Sequence, residues 1–201
     1  MLRWLDQEFP RILRETRQRD AHLVFLDESG FMLTPVVRRT LWPRGVTPIL
    51  PVATKRDRIS AISCSTLSPR RYRPGLYFEL LPTNKNVNAE RVVAFLKELK
   101  QSLPRFTVVW DQNRIHTRAR VVKEFLAANP SVQAEDFPGY MPDLNPDEGV
   151  WGYTKYGRLS NFAPANAEEL RERVDAELRD LKRRAYFLYR FIDHTKLPLQ
   201  L

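Results

Sequence analysis

The sequence predicts an α/β fold in which one mixed β-sheet is flanked by helices. Three observations carry this: short apolar runs that stop at a carboxylate, early strands in hairpin order, and a later alternation of helical and extended periods. Residues 3–19 read as an amphipathic helix, with Leu5, Phe9, Ile12 and Leu13 near helical spacing and Pro10 expected to break or kink it. His22–Asp27 is too short for a helix and reads as a buried strand, closed by the turn signal Glu28-Ser29-Gly30. Arg38–Trp42 alternates weakly ahead of Pro43-Arg44-Gly45 and is a candidate hairpin partner, and Ile59–Leu67 and Leu76–Leu81 are the next strands. From Asn88, a candidate N-cap, Val92, Val93, Phe95, Leu96 and Leu99 form one helical face. Phe106–Trp110 is a second buried run, stopped by Asp111. Thr117 is a candidate cap for a helix through Ala128, and Val132–Phe137 is a further strand. Pro138–Pro142 is a rigid turn leading to a helix capped by Asn145, with Pro146 at its first position. A final helix spans 166–192, and its aromatic tail, Ala185–Ile192, suits either packing back on the sheet or meeting a partner.

Composition narrows the function classes. A chain of 201 residues, 43% hydrophobic and 28% charged, suits one domain without repeats or low-complexity linkers. The single cysteine, Cys64, excludes a disulfide framework and a Cys-rich zinc site, and three histidines argue against a His-based metal cage. No apolar run approaches the roughly 18–20 residues of a membrane span, and the charged first 20 residues do not resemble a signal peptide. The expectation is a cytoplasmic protein. Its net charge of +9 is concentrated. Between 38 and 73, Arg38, Arg39, Arg44, Lys55, Arg56, Arg58, Arg70, Arg71 and Arg73 face Asp57 alone, whereas 168–184 holds six acids and six bases. A basic segment interleaved with Trp42 and Tyr72 is the footprint of a polyphosphate partner, although a solvated face would have the same composition.

Three carboxylates share one logic. Asp27 and Asp111 each end an apolar run, so parallel neighbouring strands would bring both to one rim of the sheet. Glu148 lies in the first turn of the helix begun by Asn145-Pro146, and Trp151 on the same face would press that face inward. Anions gathered in this way invite a hard divalent cation. Each also has a local explanation: an aspartate caps the turn it opens, and a glutamate completes a capping box. Glu28, Asp143 and Asp147 are neighbours of the same kind.

Leu26-Asp-Glu-Ser-Gly-Phe31, Val109-Trp-Asp-Gln-Asn-Arg-Ile-His116 and Met141-Pro-Asp-Leu-Asn-Pro-Asp-Glu-Gly-Val-Trp151 resemble, in order, the three catalytic motifs of mariner-superfamily transposases. The bacterial insertion-sequence branch is the most similar. The 36 residues between Asp111 and Glu148 suit that family, and Arg38–Gly45 resembles the segment after its first motif. The resemblance implies a ribonuclease H-like, five-stranded domain of the DDE type. Asp27, Asp111 and Glu148 would be its catalytic and metal-binding triad, holding two Mg²⁺ or Mn²⁺ ions. It implies cutting of transposon ends and joining of the 3′-OH to target DNA, with double-stranded DNA as partner and a homodimer as the working form. The nine basic residues of 38–73, with Arg114 and His116, are the expected DNA contacts.

Two features depart from the family pattern. Gln112 stands where Asn is usual and Arg114 where a small residue or Pro is usual, while Asn113 and His116 remain. Only about 20 residues precede the first strand, so a catalytic domain without helix-turn-helix modules is expected. Another ribonuclease H-like nuclease, and a DNA-binding remnant without turnover, are the competing readings.

Overall fold

The computed structural model describes residues 3–199 except 42, 48, 51, 53 and 54. A π-helical turn, Trp4–Glu8, runs into helix α1, Phe9–Gln18. Pro10 therefore does not break the predicted helix. The wide turn, in which Phe9 N–H bonds Trp4 O, leaves Pro10 in the first turn of α1, where a missing N–H costs nothing. Three strands follow, β1 (His22–Met32), β2 (Arg58–Leu67) and β3 (Pro74–Leu80), then α2 (Ala89–Ser102) and β4 (Phe106–Trp110). Next come α3 (Arg114–Thr117), α4 (Arg120–Ala128) and β5 (Val132–Asp136). A 3₁₀ turn at Pro142–Leu144 precedes α5 (Pro146–Gly152), which continues as a π-helical turn, Tyr153–Arg158; α6 (Ala167–Lys182) and α7 (Ala185–His194) complete the chain.

The sheet order is β3-β2-β1-β4-β5, with β1–β2 and β2–β3 antiparallel and β1–β4 and β4–β5 parallel. This is the mixed five-stranded sheet expected from the sequence. Alternation along the strands assigns its two faces. Val24, Leu26, Ile62, Cys64, Val108 and Trp110 point to the side covered by α2 and α4. Leu23, Phe25, Phe31, Ile59, Ala61 and Val109 point to the opposite side, under α1, α5, α6 and α7. Leu188 and Ile192 of α7 are buried there, so the aromatic tail completes the core.

Four local expectations change. Glu28-Ser29-Gly30 is not a turn; it stays in β1, paired with Ile62, Ala61 and Ser60. Residues 38–41 adopt no regular structure, and Trp42, the other end of the proposed hairpin strand, lies outside the described residues. Thr117 does not cap a helix: Asn113 caps α3 by accepting Ile115 N–H, and α4 begins at Arg120 without a side-chain cap. The final helix is divided, because Arg183 and Arg184 N–H turn back three residues to Asp180 O and Leu181 O. That turn lets α7 bring Leu188 and Ile192 onto the core in a direction a straight helix could not take.

Candidate active site

Asp27 lies within β1, opposite Ser63 of β2, and so shares a sheet face with Ser63 and Ser65. Above that face stands α5. Its start is built locally as expected: Asn145 Oδ1 accepts Asp147 N–H at 3.1 Å, and Pro146 occupies the first helical position. The same Asn145 donates to Leu26 O, tying the helix start to the strand just before Asp27. Trp151, buried edge-on against Phe31 at 5.9 Å between ring centroids, presses α5 onto the sheet.

The residue that α5 sends deepest is Asp147. It is fully buried, accepts hydrogen bonds from Ser63 Oγ and from Ser65 Oγ (the latter at 2.5 Å), and burial pushes its pKa up to about 7. Sequence reading gave Asp147 no role beyond its neighbours. The available signal was Ser63 and Ser65 at period two, alternating with Ile62 and Cys64 in a strand expected to be buried, a polar pair that must find a partner inside.

Asp27, Asp111 and Glu148 face one cavity of about 440 Å³, whose far wall is the segment Phe137–Pro142 with Gln112 and Asn113. They reach it differently. Asp27 is held by the strand and accepts Glu28 N–H at 3.0 Å; burial, then the nearby charges of Asp147, Glu148 and Glu28, push its pKa up to about 8. Asp111, just past β4, is 56% exposed at its side chain and accepts Asn113 N–H at 3.1 Å. Glu148 is exposed, and its carboxylate has no hydrogen-bond partner among the described residues. Also among the described residues, no three His, Cys, Asp or Glu side chains already stand close enough together to hold a metal ion. The three acids share a cavity without yet touching.

His116 corrects one expectation: at 2% exposed it is no DNA contact. Its ring stacks on Trp110 at 4.7 Å, its Nδ1 meets Asp111 Oδ1 at 2.9 Å, and its Nε2 meets Glu28 Oε1 at 2.7 Å. Burial opposes a charge on this ring, but the two carboxylates outweigh it and push the pKa up to about 10, while the same contact holds Asp111 below its usual value. The result is a buried imidazolium braced between Glu28, next to Asp27, and Asp111. Sequence reading missed Glu28, whose side chain points away from Asp27 because alternate strand residues face opposite sides. It also missed Lys155, which donates to Ser29 Oγ at 2.6 Å and lies near Glu148 and Asp27; burial lowers its pKa against their attraction.

The basic residues do not form one surface. Arg58 pairs with Met32, beyond Asp27 along β1, and Arg38, Arg39, Arg44, Lys55 and Arg56 belong to the connection leading there. Arg38 is anchored at Tyr156 O and, through its own N–H, at Asn161 Oδ1. Arg114 opens α3 beside the cavity. Arg70, Arg71 and Arg73 instead line a shallow depression with His22, at the opposite end of β1.

Comparison with known proteins agrees with this architecture. No curated protein matches the sequence. The structure is similar to the Mos1 mariner paired-end complex with Mn at TM-score 0.65 and 19% identity, over 92% of this chain and 56% of that one. The Mos1 strand transfer complex gives 0.65 and 21%, over 94% and 55%. The catalytic domain of Mos1 mariner transposase gives 0.59 and 19%, over 92% and 83%. These likenesses establish the ribonuclease H-like fold, and the chain spans little more than half the length of the transposases in the two complexes. A family model described as DDE superfamily endonuclease matches residues 22–171, from the start of β1 into α6. With three-quarters of its length under that match, the chain belongs to the DDE superfamily endonucleases.

Proposed function

We propose that this chain is the catalytic domain of a mariner-like transposase of the bacterial insertion-sequence type, which cuts transposon ends and joins the 3′-OH to target DNA. The carrying observation is the convergence of Asp27, Asp111 and Glu148, far apart in sequence, on one cavity. A set of three carboxylates offers oxygen donors only, which fits Mg²⁺ or Mn²⁺, and the mutual repulsion of Asp27 with Asp147 and Glu148 is what such a cation relieves. When bound, one or two such ions supply activation of the attacking hydroxyl and charge stabilisation at the phosphodiester. The solved Mos1 complexes with Mn and in strand transfer support this reading, as their paired ends support a homodimer.

The chain's own residues divide the work. Asp27 is the fixed ligand, set by the sheet. Asp111 is braced by His116 and Asn113, and Glu148, exposed and unbonded, is the member free to turn toward an ion. Lys155, beside Asp27 and Glu148, is placed to meet a phosphate oxygen at the rim. Arg38, Arg39, Arg44, Lys55, Arg56, Arg58 and Arg114 contact the DNA on this side of the molecule. Gln112, which donates to Phe137 O, shapes the cavity wall, so its replacement of the usual Asn leaves the acid positions intact.

The test is Mn²⁺ calorimetry with plasmid nicking, on wild type and on Asp27→Asn, Asp111→Asn and Glu148→Gln. Each substitution is expected to abolish nicking and to weaken Mn²⁺ binding without lowering the melting temperature. Nicking that survives all three would remove the triad, and with it the proposal.

A further inference from the structure

The hairpin joining β2 to β3 is a rigid arginine tip. Ser68 closes it: its N–H donates to Arg73 O at 3.1 Å, and its Oγ accepts Arg73 N–H at 2.9 Å. Tyr72, in the left-handed region at φ 45°, is pinned from outside by Arg17, which bonds its hydroxyl and covers its ring at 5.0 Å. Arg70, Arg71 and Arg73 are all exposed, and around them lies a depression of about 420 Å³. Asp20 is its one carboxylate and accepts from Arg70 Nε and Nη2, each at 3.1 Å; Arg71 and Arg73 have no carboxylate partner among the described residues. Four residues of extended strand lie between His22 and Asp27, five steps at ~3.3 Å each, so the tip stands about 17 Å along β1 from the acidic cavity.

We propose that Arg70, Arg71 and Arg73, with Arg17, form a second phosphate-backbone site for double-stranded DNA, separate from the acidic cavity. Guanidinium forks match phosphate oxygens in geometry as well as charge. The only aromatic ring of the tip is already covered by Arg17, so no free face is offered for stacking an unpaired base; the contact is to the backbone of a duplex and is sequence-independent. The choice of DNA as the polyanion rests on the function proposed above.

The experiment is fluorescence anisotropy of the full chain with a labelled duplex of about 20 bp, without divalent cation, across about 50 to 200 mM salt. Arg70→Ala/Arg71→Ala/Arg73→Ala is compared with wild type, and Arg71→Glu, at a position with no partner to lose, serves as the variant least able to disturb folding. The slope of log affinity against log salt is expected to shrink by about 2–3 in the triple variant and by about 1 in Arg71→Glu, at ~0.9 per phosphate. Binding at low salt is expected to fall roughly tenfold or more but to persist through the other surface. Unchanged slopes would make the tip a solvated face. Complete loss of binding would mean one continuous surface instead of two, and displacement of the duplex by polyglutamate at equal charge would assign the tip to an acidic protein; either overturns the proposal. Mn²⁺ calorimetry on Asp27→Asn, Asp111→Asn and Glu148→Gln keeps the two readings apart: failure of the catalytic assignment shows as Mn²⁺ binding indifferent to the three acids, whatever the salt slopes do.

Discussion

Replacing Asp147 by Asn tests the buried floor of the site directly. Asp147 is wholly enclosed, and burial raises its pKa from 3.8 to about 7 against the opposing pull of the Ser63 and Ser65 hydroxyls. A folded-state pKa above the unfolded one means that the native protein holds this proton more tightly. The stability it contributes is therefore complete below pH ~4 and is lost as pH rises toward 7, where the folded group ionises. Three units at ~1.4 kcal/mol each set a ceiling of about 4 kcal/mol, and relaxation of the buried charge leaves a realistic loss of roughly 2–4 kcal/mol. The amide introduced by Asp147→Asn has nothing to ionise. Its own cost, sitting between two hydroxyls, is about 1 kcal/mol and independent of pH. Urea unfolding without divalent cation, at pH values from about 4 to 8, reads the difference. Wild type is expected to lose stability more steeply than Asp147→Asn up to pH ~7, after which the two curves run parallel, the residual slope in the variant belonging to Asp27 with its pKa near 8. A gap between wild type and variant that stays constant across the whole range would refute the assignment of a buried, protonated Asp147.

Two further outcomes follow from the packing. Glu28→Gln and His116→Gln each unlatch one end of the brace on Asp111, and an orienting partner of this kind is worth about 10–100-fold in metal affinity; calorimetry with Mn²⁺ should show that loss, and equal affinity in all three proteins would reduce His116 to a core residue. Gly149 lets α5 approach α7 so closely that an added Cβ would lie 2.8 Å from Phe191. Gly149→Ala should cost about 1–3 kcal/mol in urea unfolding, and an unperturbed midpoint would show that the helices are less tightly seated.

Much of the scaffold was legible because its signals are local. Asn88 and Asn145 cap the helices they were expected to cap, since a side chain and an N–H two or three residues on need no third party. The apolar runs at 22–26 and 106–110 became the paired central strands β1 and β4 for a similar reason: a short run without polar alternation has to be buried on both faces. Glu28-Ser29-Gly30 misled, because turn-forming residues also extend a strand when a neighbour such as β2 offers hydrogen bonds to pair with. His116 misled in another way. The resemblance counted it among the DNA contacts, but Trp110 stacks on it and Glu28, 88 residues away in the chain, closes over its other nitrogen.

The sequence by itself determined most of the strand and helix inventory and the excess of arginine, and marked Asp27, Asp111 and Glu148 as candidates, since these depend on residue type and spacing. Only the tertiary structure decided that Asp147 lies beneath the site, that Glu28 and His116 brace Asp111, and that the basic segment is divided between opposite ends of the sheet. Register accounts for this. Pairing Asp27 with Ser63 puts Arg58 at one end of β1 and the 70–73 hairpin at the other, and one residue of slip would exchange every inward and outward side chain.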